Sequence, residues 1–339
     1  MKKFRLTISV LCVMGFMLFL WIPGAKAQQK PIKLTYSHFW PVGHPVTNLI
    51  ADWAKEIEKR THGGVAITIF PSGTLTPADK CYDGVVKGIS GIGSSALSYT
   101  KGRFPLMEVI DLPLGYKNAT VAVNLANATY KKYQPKEMSD VKVMYFQAHG
   151  PGLFHFKKLV RTLEDLKGLK IRSTGLSAKI VAALGATPVA MTMGETYDAL
   201  AKGVVDGSTA PIAALEGFKW GEVVKYTTEN FGSSFTAAFF VVMNKSTWNG
   251  LPPEVQKIIE GVNEEWIKKT GPVWDEYDKT GRDFALKLGN QMIPLSKEEE
   301  ERWAKKVSVT FDDYLKDMEK KGLPGAEVLK FCQDFLKNQ

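Results

Sequence analysis

Short apolar segments alternate with amphipathic ones through most of this chain, and that alternation limits the fold more than any other feature. Residues 32–38 read as a strand, followed by the loop Phe39-Trp40-Pro41-Val42-Gly43-His44-Pro45. Pro45 suits a first helical turn, where a missing N–H costs nothing. The helix after it carries Leu49, Ile50, Trp53, Ala54 and Ile57 on one face and ends near Gly63-Gly64. Residues 65–70 read as a second strand. Thr76-Pro77-Ala78-Asp79 reads as a capped helix start, with an apolar face through Cys81, Tyr82, Val85 and Val86. Residues 89–95 read as a glycine-rich strand, where backbone or ligand approaches closely. A helix over 118–133 and a strand over 141–148 close this block.

A second block repeats the rhythm. Strands are expected over 153–157, 169–172, 187–191, 204–208, 226–231 and 236–243. Helices are expected over 177–184, 194–202 (with Tyr197 and Leu200 inward) and 212–220. After Asn244 the pattern is helical. Val255, Ile258, Ile259, Val262, Trp266 and Ile267 recur at three and four, and Gly271-Pro272 should kink or interrupt the helix. Ser296-Lys297-Glu298-Glu299 reads as a capping box opening a helix through Trp303, Val307, Phe311 and Leu315, and Pro324 starts a last one. Two α/β blocks with a helical tail point to two lobes braced by C-terminal helices.

At the N-terminus, Lys2, Lys3 and Arg5 precede an apolar run over 6–22, and Ala25-Lys26-Ala27 follows. That is the layout of a secretory signal peptide, cut after Ala27. An uncleaved anchor is the alternative, since the run approaches membrane-spanning length. Four of the 44 Lys and Arg, and none of the 35 Asp and Glu, lie in those 27 residues, which leaves about +5 on the remainder. Its charges are interspersed, which argues against nucleic-acid binding. The histidines are scattered without metal-ligand spacing, and no metal or cofactor is expected. Cys81 and Cys332 are expected as two buried free thiols, with a disulfide tethering the last helix as the alternative.

Residues 162–207 carry a resemblance. Leu163-Glu164-Asp165-Leu166-Lys167-Gly168-Leu169-Lys170-Ile171-Arg172, then Gly185-Ala186-Thr187-Pro188-Val189, Glu195-Thr196-Tyr197-Asp198-Ala199-Leu200 and Gly203-Val204-Val205-Asp206-Gly207, resemble solute receptors of the dicarboxylate-receptor (DctP) family of TRAP transporters. Residues 34–45 and 63–73 resemble the family's first two strands, and Asn244, Trp248 and Leu251-Pro252 its junction with the tail. The resemblance implies an α/β fold, a two-lobed periplasmic-binding-protein-like clamp with a helical C-terminal tail. One lobe would comprise 28–148 with part of 239–339, the other 149–238 with bracing helices from 251–339. It further implies a periplasmic monomer that captures a small organic carboxylate and hands it to the membrane subunits of an ion-gradient-driven permease.

Arg172 is the expected anchor, since its rigid fork of donors matches a carboxylate bidentately as lysine cannot. Phe39 and Trp40 either cover an apolar ligand body or pack beside the first helix. Ser94 and Ser95 either supply hydroxyls or form an ordinary turn. Glu195 and Tyr197 match the family's glutamate and tyrosine, the glutamate serving to orient Arg172 or to cap its helix. Asp206 reads as structural. Relative to the sialic-acid receptors on this scaffold, Gly152 stands where a second arginine lies, Ala210 where an asparagine lies, and Met193 where an aromatic residue lies. Gln147 and His149 restore some polarity, but the balance favours an acid with an apolar or aromatic body. The competing functions are a ligand sensor for a signalling protein and an exported enzyme acting on a carboxylic acid, the latter lacking any nucleophile elbow, dinucleotide fingerprint or metal motif.

Overall fold

The computed structural model describes residues 30–339, and the expected signal peptide with its cleavage site lies outside the described residues. Strands and helices follow in the order β1 (Ile32–His38), α1 (Pro45–Arg60), β2 (Val65–Phe70), α2 (Cys81–Val86), β3 (Ile92–Ala96), α3 (Ala119–Tyr133), β4 (Val141–Ala148), β5 (Gly152–Phe156), β6 (Lys170–Ser173), α4 (Gly175–Ala183), β7 (Thr187–Ala190) and α5 (Met193–Ala201). Then come β8 (Gly207–Pro211), α6 (Ala214–Gly217), β9 (Tyr226–Glu229), β10 (Ala238–Asn244), α7 (Lys245–Asn249), α8 (Pro253–Lys287), β11 (Gln291–Pro294), α9 (Lys297–Val307), α10 (Val309–Lys320) and α11 (Gly325–Lys337).

They build two mixed sheets, ordered β2-β1-β3-β10-β4 and β11-β9-β5-β8-β6-β7. The chain passes from the first sheet to the second between β4 and β5, back between β9 and β10, and over again between β10 and β11. The helix α1 forms where its pattern demands: Leu49, Ile50, Trp53, Ala54 and Ile57 are all buried. Each large apolar side chain so buried contributes roughly 1.5–3 kcal/mol. Asn118 caps α3 by accepting from Val121 N at 2.9 Å, leaving its apolar face on β4 and α8.

Several expectations need correction. Thr76 caps no helix: its hydroxyl meets Ser37 Oγ at 2.6 Å, and Ala78–Lys80 form a 3-10 turn before α2. The glycine-rich third strand begins at Ile92, and Gly93 admits α2 rather than a ligand, because a Cβ there would stand 2.6 Å from Val85. The strand expected over 204–208 starts only at Gly207, after an exposed Val204. Pro272 does not interrupt α8, which runs 35 residues. The single helix expected from Ser296 is two, broken at Ser308. There the Ser308 and Thr310 hydroxyls donate to the Lys305 and Val307 carbonyls and compete with the backbone pattern. Ser296 does cap α9, but Glu299 turns its carboxylate to Leu163 N at 3.1 Å instead of closing the box. Strand β11, absent from the sequence reading, pairs parallel with β9 at the sheet edge.

Helix α8 ties both sheets together. Trp266 Nε1 donates to Leu49 O at 2.9 Å in α1. Asp275 accepts from Ala119 N at 2.6 Å at the start of α3, and Asp278 from Ala213 N at 2.9 Å at the start of α6. Cys81 and Cys332 are buried free thiols, set against Ser37 O at 3.7 Å and Thr129 Oγ1 at 3.6 Å. Among the described residues no helix is long and apolar enough to cross a membrane.

Candidate functional site

Strand β6 carries Arg172 into the interior beside β7 and β8, where only 3 % of it remains exposed. Its Nε donates to Met191 O at 3.0 Å and its Nη1 to Thr209 O at 3.2 Å. The guanidinium lies 5.8 Å from the ring centre of Trp220. Burial lowers its pKa, opposed by the neighbouring Tyr99 hydroxyl and the charge of Glu195. Among the described residues it enters no ion pair. A buried cation with carbonyl partners but no ion pair is suited to meeting an anion, whose arrival would further offset its desolvation.

A cavity opens in front of it, lined by residues of both sheets and the loops between them. Much of its wall is aromatic. Phe39 stacks on Trp40 at 4.3 Å, meets Tyr99 edge-on at 5.5 Å and lies 6.4 Å from Phe218. Phe239 lies flat against Trp274 at 5.8 Å. Phe39 and Trp40 are buried in the cluster that holds the apolar face of α1 and also line the cavity.

The other candidates separate. Ala210 and Met193 line the cavity, Met193 N donating to the Tyr99 hydroxyl at 3.2 Å. His149 lines it too, but both ring nitrogens are committed: Nδ1 donates to Gly150 O at 2.5 Å and Nε2 accepts from Ala237 N at 3.0 Å. That pairing requires the neutral ring, and burial lowers its pKa to about 4. His149 thus braces two of the crossovers between the sheets, β4 to β5 and β9 to β10. Gly152 sends nothing into the cavity; the Phe235 ring occupies the space, 2.5 Å from where a Cβ would stand.

Glu195 caps α5, accepting from Thr192 N at 2.8 Å, and stays exposed. Tyr197 does not line the cavity: it packs partly buried against the cluster that holds Leu200, its hydroxyl donating to Glu222 at 3.0 Å, while Thr196, Ala199 and Leu200 are the buried members of that helix. Ser95 is misplaced as well. Side chains alternate across a strand, so Ser95 faces α2 and donates to Ala78 O at 2.7 Å, away from the cavity. Ser94 and Gln147 lie behind the aromatic wall rather than on it. Asp206 is structural, accepting from Lys170 N at 2.8 Å.

Sequence reasoning missed His44, Tyr99, Phe218, Phe235, Phe239 and Trp274 on the cavity wall. His44 accepts from Val46 N at 3.2 Å as the cap of α1, so its neutral Nε2–H is left as a donor. Among the described residues no group of three or more His, Cys, Asp or Glu is placed to hold a metal.

The model of bacterial extracellular solute-binding protein, family 7 (DctP) matches residues 36–317. The chain is 26% identical over 265 residues to the monocarboxylate 2-oxoacid-binding periplasmic protein of Nostoc sp., spanning 72% of this chain and 69% of that one. A TRAP periplasmic solute binding protein from Desulfovibrio salexigens shares 35% identity at a TM-score of 0.79, covering 90% of this chain and 95% of that one. A TRAP solute binding protein from Rhodoferax ferrireducens, in complex with copurified benzoate, shares 29% at a TM-score of 0.86, covering 91% and 98%.

Proposed function

The chain belongs to bacterial extracellular solute-binding protein family 7 and is a TRAP-type receptor for a small organic carboxylate; we propose that its solute is a monocarboxylate with an aromatic or other apolar body. Arg172 takes the carboxylate, and Phe39, Trp40, Phe218, Phe239 and Trp274 enclose the body. One observation carries this reading: a single buried guanidinium without an acidic partner heads a cavity lined mostly by aromatic and other apolar side chains. No lysine or second arginine lines that cavity, so a second carboxylate would be buried without a cationic partner. A sugar acid would leave several hydroxyls facing apolar rings.

The family is one of receptors rather than enzymes, and its members are periplasmic. In this reading the segment 1–27 is removed on export and the mature protein works as a monomer. It delivers its acid to the permease rather than to a signalling protein. The lobes are residues 28–148 with part of 239–339, and 149–238 with helices from 251–339, the second lobe also taking β11. They close on the ligand by turning about the crossovers near His149 and Ala237, which excludes water and strengthens the ion pair.

Calorimetric titration of the emptied receptor with benzoate, phenylacetate, pyruvate, succinate and glucuronate tests the proposal. The two aromatic acids are expected to bind tightest, by about tenfold or more over succinate and glucuronate. Tightest binding of succinate or glucuronate would overturn the apolar-body assignment.

A further inference from the structure

The chain leaves β3 through a 3-10 turn, Leu97–Tyr99, anchored by the buried Leu97 and Ser98. That turn belongs to the first sheet but meets elements of the second at three points. The hydroxyls of Ser98 and of Thr174, the cap of α4, lie 3.3 Å apart. Gly175 takes a left-handed φ of 50°, and a Cβ there would stand 2.6 Å from Ser98 Cβ. Tyr99 Oη accepts from Met193 N, at the start of α5, at 3.2 Å. The same hydroxyl lies within hydrogen-bonding reach of the Arg172 guanidinium on β6. A side chain carried by one sheet thus stands beside the anion-binding group carried by the other.

Within the protein that hydroxyl serves only as an acceptor. A phenol has one proton to give, whereas a backbone N–H and a guanidinium can only donate. Met193 N and Arg172 therefore both address the oxygen. The carbonyls of Met191 and Thr209 take the Arg172 Nε and Nη1 protons. Glu195, the nearby carboxylate, accepts from Thr192 N at 2.8 Å and Thr192 Oγ1 at 2.7 Å. Among the described residues nothing accepts the Tyr99 proton. Burial raises the Tyr99 pKa against the lowering influence of Arg172, so the hydroxyl keeps that proton at neutral pH. Tyr99 and Arg172 both line the cavity, and Tyr99 also lines a groove outside it along α4 and β7. Two groups with protons to give converge at one end of the cavity, and an anion is what such a pair lacks.

We propose that Tyr99 completes the anion site: its hydroxyl donates to the ligand carboxylate that Arg172 holds, so one carboxylate is bound from both sheets at once. This rests on Arg172 taking the carboxylate, as proposed above. A neutral group of the same shape offers Tyr99 a poorer acceptor, because charge-assisted hydrogen bonds are roughly twice as strong as neutral ones. The carboxylate is then the part of the ligand that ties the two sheets together, which couples its recognition to closure.

Titration of the emptied, full-length mature receptor with benzoate and phenylacetate, and with benzamide and phenylacetamide by displacement, tests the proposal on the parent, Tyr99→Phe and Arg172→Ala. Phenylalanine keeps the ring that lines the cavity and removes only the hydroxyl. Tyr99→Phe is expected to weaken each acid about tenfold or more and each amide about threefold or less. The ligand-free melting temperature should stay within a few degrees of the parent's. Acids that bind Tyr99→Phe within about threefold of the parent would overturn the proposal. Acids and amides weakened by one common factor would overturn it too, leaving the hydroxyl a role only at Met193. Parent-like acid binding by Arg172→Ala would overturn the anchor and the shared site together. Failure of both acids to bind the parent would overturn the aromatic-acid reading and this one with it.

Discussion

Replacing Arg172 with alanine is expected to cost the receptor at least about a hundredfold in affinity for its acid, close to 3 kcal/mol. The guanidinium is fixed before any ligand arrives, with Nε on Met191 O and Nη1 on Thr209 O. Little ordering is left to be done on binding, which is what makes a preformed fork effective. Alanine leaves a desolvated carboxylate facing rings. Arg172→Lys should recover little, since one ammonium cannot hold both carbonyls and still present two parallel donors. The ligand-free protein should tolerate the change. Loss of two hydrogen bonds to carbonyls is offset by removal of a buried, unpaired cation. A melting temperature near the parent's, with the ligand-induced rise abolished, is the expected signature. Affinity within twofold of the parent would remove Arg172 from the site.

A comparable effect on stability is expected from Gly271→Val. A Cβ at Gly271 would stand 2.4 Å from Thr120 Cα and 2.7 Å from Thr120 Oγ1. The obstacle is backbone, and it cannot withdraw, because Asp275 one turn on binds Ala119 N and Thr120 Oγ1 at 2.6 and 2.5 Å. Forcing valine between α3 and α8 should cost about 3 kcal/mol, lowering the melting temperature by roughly 5–10 °C. Gly261 lies on the same helix with nothing within 4 Å of its Cβ position. Gly261→Ala should be neutral or stabilising by up to about 1 kcal/mol. Gly271→Val as stable as the parent would mean that the α3–α8 contact does not require glycine at position 271.

These glycines show where sequence reading reaches its limit. Gly271-Pro272 looks like a helix break, yet close packing against Thr120 requires the glycine, and the 35-residue helix continues through the proline. Elements with a strong local period were legible, as in α1, whose apolar face is the buried one. Strand β11 was not. Of its four residues only Ile293 is buried, and its conformation comes from pairing with β9. The site divides in the same way. Arg172 was legible through a long family pattern, and Phe39 and Trp40 through their loop. Trp274, Phe239, Phe218 and Tyr99 come from four distant segments, and nothing local distinguishes them from core residues. Ser95 and Tyr197 were misassigned because one step along a strand, or part of a helical turn, redirects a side chain.

The central claim is that this receptor recognises a carboxylate through one buried guanidinium. Its most direct test is a paired titration, on receptor emptied by unfolding and refolding, of the tightest-binding acid and its primary amide. The two ligands share a body and nearly share a shape, and differ in charge at the end that meets Arg172. Binding of the acid with the amide at least about a hundredfold weaker is the predicted result. An amide that binds within threefold of its acid would contradict it.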